Sequence, residues 1–486
     1  MTPVSPPSDP RQGTWLTASA VLASLASMLV LTLAGCASPA GIAPRQAPID
    51  PVAVGVPAGP AAAPAFVEAA WWTGLGDPRL NDLVGRALEG NPSLQAAQAR
   101  LDRASAGLEG ARAADGVHGE ASLEVSRQRY TEHGMVPKPI AGSLQTTGTL
   151  QAAASYEFDF FGRHRAEIEA AVGAQRAAEA DVAAARLVLA SQVSRTFLQL
   201  ARLFEQREVA VRALAQREDM LRLIRQRVDA GLDTRVELRQ GEGALPETRQ
   251  AIESLDEQIA LTRHALAALT VQPPSALDDL VPRLADLHHF PLPDRVPADL
   301  VARRPDVTAA RWRVEAATQD AAAAKARFYP NVDLLAFAGF SSISLDRLLK
   351  GGSAQYGVTP AIHLPLFEQA ALRANLRGRT ADIDAAVDTY NGAVVDAVRD
   401  VADQLGSMQS IDRQLVQQQA AGEAAESAYD LAMQRYRAGL GTYLTVLNAE
   451  SNVLQQRRLA ADLHTRALDV QVSLARALGG GHGTSL

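Results

Sequence analysis

Apolar residues recur at steps of seven in the second half of this chain: Val387, Val394, Val401, Met408 and Leu415, with Tyr390 and Ile411 on the adjoining position. That repeat predicts a coiled-coil seam. In the first half Val182, Leu189, Val193, Phe197, Leu200 and Phe204 keep a three-to-four spacing, the mark of a helix with one buried stripe. No proline interrupts the stretch from Arg165 to Val228, which predicts about 96 Å of helix, far more than one globular core covers. A second long helix is expected over 370–436. The flanking helical patterns, 79–113 and 234–270 in one half and 298–327 and 442–478 in the other, are each too short to cover such a rod. Laid end to end they match it, so the expected arrangement is one continuous helix beside two stacked shorter ones.

Four segments alternate between apolar and polar residues instead: 119–130, 149–161, 331–342 and 354–367. Period two predicts strands, and the fold class is mixed α+β. Four strands cannot close a membrane barrel, whose known minimum is about eight, so several chains must share one. The order of elements also repeats. Gln226-Arg-Val-Asp-Ala-Gly-Leu-Asp-Thr aligns with Gln434-Arg-Tyr-Arg-Ala-Gly-Leu-Gly-Thr, which places Gly439 208 positions after Gly231. A second anchor, Asn91-Pro92-Ser-Leu against Arg304-Pro305-Asp-Val, places Pro305 213 positions after Pro92. Two anchors at nearly one offset argue for an internal two-fold repeat, 67–272 and 298–480, joined by a Pro-rich linker over 273–297. His288-His289 in that linker lack acidic or thiol neighbours in sequence, and a solvated loop is expected there rather than a metal site.

Residues 15–35 form an apolar run ending in Leu33-Ala34-Gly35-Cys36, which reads as a lipoprotein signal peptide over 1–35. Cys36 is then the lipidated first residue of the mature protein, a covalent lipid being the only prosthetic group expected. The Ala- and Pro-rich stretch over 36–66 reads as a flexible tether, and 481–486 as a short tail. Cys36 is the only cysteine, which excludes an internal disulfide framework. The net charge of -7 argues against nucleic acid as a partner. The nine histidines are scattered without the spacing of a catalytic or metal-binding set, so no enzyme is expected. No later run of about 18 uncharged apolar residues exists, and any membrane crossing must therefore use a β-barrel.

Trp71-Trp72-Thr73-Gly74-Leu75-Gly76-Asp77-Pro78-Arg79-Leu80-Asn81 resembles the opening motif of lipoprotein outer-membrane factors. Arg303-Arg304-Pro305-Asp306-Val307, Ala316-Ala317, Ala324-Lys325-Ala326 and Phe328-Tyr329-Pro330-Asn331 resemble the helix-to-strand signature of the TolC-type family, in its OprM and NodT group. Phe158-Asp159-Phe160-Phe161-Gly162-Arg163 and Leu364-Pro365-Leu366-Phe367 resemble its strand-to-helix exits. The first strand departs from the pattern, with Asp115-Gly116-Val117 where a proline commonly opens it. The resemblance implies a homotrimer whose α-helical barrel continues into a shared antiparallel β-barrel in the outer membrane of a Gram-negative bacterium. It further implies a passive exit duct in a tripartite pump, partnered by a periplasmic adaptor and an inner-membrane transporter, of RND type by expectation. Ala37 after the cysteine fits sorting to the outer membrane. The competing reading is a lipid-anchored periplasmic coiled-coil structural or adaptor protein, which leaves the four alternating segments without a use.

The repeat and the resemblance together single out two hairpin tips. Gly231, Leu232 and Thr234, with Gly439, Leu440 and Thr442, are the candidate adaptor-docking residues: glycine permits the positive φ of the turn and leucine offers an apolar contact. The resemblance places a periplasmic gate just past them. Thr445 and Asn448 stand where related channels commonly carry aspartates, within Tyr443-Leu444-Thr445-Val446-Leu447-Asn448, and Tyr443 and Leu447 complete that candidate set. Asp233, Arg235 and Glu237 are the charged candidates of the first half. They form either a solvated cluster or ion pairs between neighbouring subunits.

Overall fold

A computed structural model describes residues 38–54, 70–289 and 303–481. After a short 3₁₀ turn, Trp71–Leu75, the chain forms α1 (Pro78–Gly90), α2 (Pro92–Ala114), β1 (His118–Arg129), β2 (Leu144–Phe158), α3 (Arg163–Asp229) and α4 (Arg235–Leu269). Two 3₁₀ turns, Pro274–Leu277 and Leu284–Asp286, precede α5 (Pro305–Ala326), β3 (Asn331–Ser342), β4 (Ala354–His363), α6 (Gln369–Arg437) and α7 (Tyr443–Ala477). The two long helices end within a residue or two of expectation. The helix expected over 79–113 is broken in two, because Pro92 has no N–H to continue α1 and the Asn91 carboxamide instead accepts from Ser93 N at 2.9 Å. Among the described residues no helix is long and apolar enough to cross a membrane.

The chain divides into two units. One holds the sheet with the helix segments 104–114, 163–175, 313–326 and 369–387. Its four strands are antiparallel in the order β1-β2-β3-β4, so β1 and β4 are open edges. Pairs such as Ser155 with His118, Phe158 with Val332 and Asn331 with His363 bring all four helix junctions to one end of the sheet. Close helix packing below it requires Gly173, where a Cβ would lie 3.0 Å from the Ala316 backbone nitrogen.

Register sorts the two faces of this sheet by polarity. One face carries Ala121, Leu123 and Val125 of β1, Leu150 to Phe158 at every second position of β2, Val332 to Phe340 likewise on β3, and Tyr356, Val358, Pro360 and Ile362 on β4. Every one is apolar or aromatic, and toward the end of the sheet away from the helices the same face carries Thr146, Ser342, Arg127 and Arg129. The other face carries Glu120, Ser122, Glu124, Thr149, Gln151, Asp333 and Gln355, with Ala153, Leu335, Phe337 and Ala361 as its apolar exceptions. Thr149 and Ser341 hydroxyls meet there at 3.2 Å. At the helix end of the sheet, Phe160, Phe161, Tyr329 and Phe367 are exposed, with Phe161 stacked on Tyr329 at 4.8 Å between ring centroids.

The expected tether is corrected over 38–54, the part of it that the structure describes. Within the sheet unit, Arg373 donates to the carbonyls of Ser38 and Ala40, and Asp384 Oδ1 accepts from the amides of Arg45 (2.8 Å) and Gln46 (3.0 Å). Ile42 packs on Ala324, Phe328 and Leu376. Within the other unit, Ile49 N donates to Asn391 Oδ1 at 2.7 Å, and Ile49 and Val54 pack on Val307, Val394 and Ala397. A low-complexity composition concealed these anchors, since two isoleucines, a valine and backbone N–H and carbonyl groups supply them all.

The second unit is helical. Leu189, Val193, Phe197 and Leu200 of α3 join Trp71, Leu75, Leu80 and Val84, together with Leu266 of α4 and Leu468 and Val472 of α7, in one core. The linker contributes to it. Leu277, Leu284 and Leu287 are buried in that core, whereas His288 and His289 are exposed. Residues 290–297 of the linker lie outside the described residues, as do Cys36, the signal segment and 482–486.

Candidate functional site

Both hairpin tips lie in the helical unit and share one geometry. At the end of α3, Gly231 takes φ +71°, its amide donates to Val228 O at 3.0 Å, and Leu232 N donates to Arg227 O at 2.8 Å. At the end of α6, Gly439 takes φ +74°, with Gly439 N to Tyr436 O at 3.0 Å and Leu440 N to Arg435 O at 2.8 Å. These are paired Schellman turns, which close a helix with one left-handed residue and satisfy its last carbonyls. In that motif the following apolar residue usually packs back on its own helix. Here Leu232 and Leu440 point outward, 66% and 71% exposed.

Restarting the chain is less symmetric. Thr234 caps α4 through a capping box, its hydroxyl accepting from Val236 N at 3.1 Å while the Glu237 carboxylate accepts from Thr234 N at 2.9 Å. Those bonds from Thr234 hold the Glu237 carboxyl below its usual range. Thr442, by contrast, makes no side-chain cap, and its hydroxyl meets that of Thr445 at 3.1 Å.

Of the candidate gate charges, two are committed within the chain. Asp233 accepts from Arg227 Nε at 2.9 Å and Nη2 at 3.2 Å, and from the Tyr436 hydroxyl. The Arg227 guanidinium lies 4.5 Å over the Tyr436 ring. Burial pushes the Asp233 carboxyl up, but the bonds from Arg227 and Tyr436 outweigh it and leave it below the usual range. Glu237 is taken up by its cap. Arg235 is exposed, as are Thr445 and Asn448. Tyr443 is buried with Tyr436, Met220, Ile224 and Val446 where the hairpins pack together, and Leu447 leans on the same cluster.

Four residues escaped sequence reasoning. Val236 and Leu444 are exposed one turn beyond the tip leucines, and the offset that relates Leu232 to Leu440 also relates this pair. That offset, followed four residues further, was the available signal. Arg227 and Tyr436 carried none, because their partner Asp233 belongs to the other side of a turn or to the other hairpin.

Behind the tips lies a second ionic joint. Arg217 of α3 donates from Nε to Glu450 Oε2 of α7 at 3.1 Å, and from Nη1 to Thr248 Oγ1 at 2.8 Å and Ala244 O at 3.2 Å on α4. Both charged side chains are nearly buried. Burial pushes the Glu450 carboxyl up, with Arg217 opposing. Glu450→Ala is expected to cost about 3–5 kcal/mol by stranding the guanidinium, and Arg217→Leu with Glu450→Leu to recover most of that. Thermal unfolding midpoints decide it; a single variant as stable as the wild type would mean that water already reaches the pair.

A sheet with one largely apolar face and two open edges, joined at one end to four helical segments, defines the class: an outer-membrane channel subunit. The chain belongs to the outer membrane efflux protein family, whose sequence model matches residues 83–271 and 296–480. Members of that class are conduits rather than catalysts, and the protein resides in the outer membrane. It is 30% identical over 424 residues to the multidrug resistance outer membrane protein MdtP of Escherichia coli O6:H1, a match spanning 85% of this chain and 87% of MdtP. Among solved structures it is similar to the outer membrane protein VceC of Vibrio cholerae, at 34% identity and TM-score 0.81 over 86% of this chain and 100% of VceC. The open state of the MtrE outer membrane channel of Neisseria gonorrhoeae is also similar, at 26% identity and TM-score 0.79 over 90% of this chain and 98% of MtrE.

Proposed function

We propose that three copies of this chain form the passive exit duct of a tripartite efflux pump, loaded by an RND-type inner-membrane transporter through a periplasmic adaptor. The apolar face of the four-stranded sheet carries this reading. Soluble proteins rarely expose apolar patches beyond a few hundred Å², and open sheet edges are not tolerated in lipid. Three chains supply twelve strands, an even number within the range of known barrels, and pairing β4 of one chain with β1 of the next removes every edge. The exposed aromatics at the helix end of the sheet fit a membrane-interface girdle. A periplasmic coiled coil has no use for either feature. Crosslinking of the purified protein in detergent is expected to give a ladder ending at three; a monomer, or recovery in the soluble periplasmic fraction, sinks the proposal.

The remaining roles follow from the same assembly. Two family-model matches and two tips of one geometry support a two-fold internal repeat, hence a pseudo-sixfold helical tube. MdtP's name suggests drugs as cargo. Cys36 is two residues from Ser38, whose carbonyl Arg373 holds near the start of α6, so a lipid there enters the membrane beside the barrel. Cys36→Ser is expected to lose all label from radioactive palmitate while retaining trimers, since the barrel anchors the protein unaided. Label persisting in the variant would mean that another residue is acylated.

A further inference from the structure

Two connected grooves run across the helical unit, one of about 930 Å³ lined by α3, α4 and α7, and one of about 600 Å³ lined by α6 and α7. They share Asp462 and Arg466, so they form one strip on one side of α7. On α3 the groove residues Ser191, Arg195 and Arg202 lie opposite Val193, Phe197 and Leu200, at 100° per residue. The latter side is covered, in a common core, by Trp71, Leu75, Leu277 and Leu284. In a tube, segments stacked on the wall must lie outside, since inside they would fill the bore. The strip therefore faces the bore, a step that rests on the channel reading above.

Its charge is opposite in sign to that of the whole chain. Arg195 is paired with Asp469 at 2.6 Å and Arg202 with Asp462 at 2.7 Å. Arg413, Arg466 and Arg476 also line the strip, are exposed, and have no ion-pair partner among the described residues. Exposed Val188 and Leu261 border the same groove as Arg466 and Arg476. Guanidinium groups recognise carboxylate and sulfonate oxygens in a bidentate manner, and three copies around a low-dielectric wall focus the field. We infer that this strip binds amphiphilic organic anions on the exit path, the acid group held by Arg466 with the apolar body resting on Leu261, or by Arg476 with the body on Val188, two positions about 15 Å apart along α7.

Planar-bilayer recordings of the full-length protein test this, with naphthalene-2-sulfonate as the probe and a potassium chloride gradient to read selectivity. Replacing Arg413, Arg466 and Arg476 by Gln is expected to lower the chloride-to-potassium permeability ratio several-fold and to raise the half-blocking sulfonate concentration by about ten-fold or more. Lysine at all three positions should restore the permeability ratio. Pores whose ratio and block are unchanged by the Gln variant, or a Lys variant that behaves like it, overturn the inference and leave the channel reading standing. Wild-type protein that forms no pores overturns both.

Discussion

Cells carrying Leu232→Asp together with Leu440→Asp are expected to accumulate a fluorescent efflux dye as a channel-deletion strain does, while exporting and assembling the protein normally. The tip leucines make no use of their exposure within the chain: each follows the left-handed residue of a Schellman turn yet declines the packing which that turn usually provides. Val236 and Leu444 extend each into a two-residue apolar knob. Burying a leucine is worth about 1.5–3 kcal/mol, and a carboxylate in its place must also be desolvated, so two substitutions should weaken docking at least ~100-fold. Folding is little at stake, because both side chains already lie in water. Crosslinking to the adaptor in intact cells separates the outcomes. Undiminished adaptor capture by the double variant would remove the tips from the docking surface, and Val236→Asp with Leu444→Asp would then have no reason to act.

What the sequence revealed, and what it concealed, follows from the range of each interaction. Val387, Val394 and Val401 are buried as the seven-residue repeat requires, because helical periodicity is written locally. The strands were visible for the same reason, although β2 begins at Leu144, earlier than the alternation indicated, since its pairing with Arg129 draws threonines and a glycine into the ladder. The tips were legible because Gly at a left-handed turn leaves a mark in one residue. The gate was not. Asp233, Arg235 and Glu237 look alike as letters, yet one is clasped by Arg227 and Tyr436, one is free in solvent and one closes a capping box. Tyr436 is remote in sequence from Asp233, and no local pattern announces such a bond. The docked path of residues 38–54 was hidden likewise, because its partners Arg373, Asp384 and Asn391 are more than three hundred positions away.

Asp233→Asn is expected to raise the resting leak of the channel about 10- to 100-fold. The bond from Tyr436 to Asp233 joins α6 to the turn after α3, so it ties one hairpin to the other at the narrow end of the proposed tube. Widening that end by parting the hairpins breaks it, and with it the cover that Tyr436 and Arg227 give each other. A hydrogen bond to a charged group contributes about 1.5–3 kcal/mol, which sets the size of the shift in open probability. Tyr436→Phe, which keeps the ring under Arg227 and removes one bond, should act in the same direction by about ten-fold at most. The pH response has a definite sign. Asp233 is held below its ordinary value of 3.8 in the latched state, so its contribution to closure is complete above that value and is lost as pH falls through the lowered one. Leak through the wild type should therefore be flat from pH 8 to 5 and climb toward the variant's level only in stronger acid, while Asp233→Asn stays high throughout. Bilayer conductance across that range decides the matter: equal leak in wild type and Asp233→Asn would assign closure to the packing of Met220, Ile224, Tyr443 and Val446 alone.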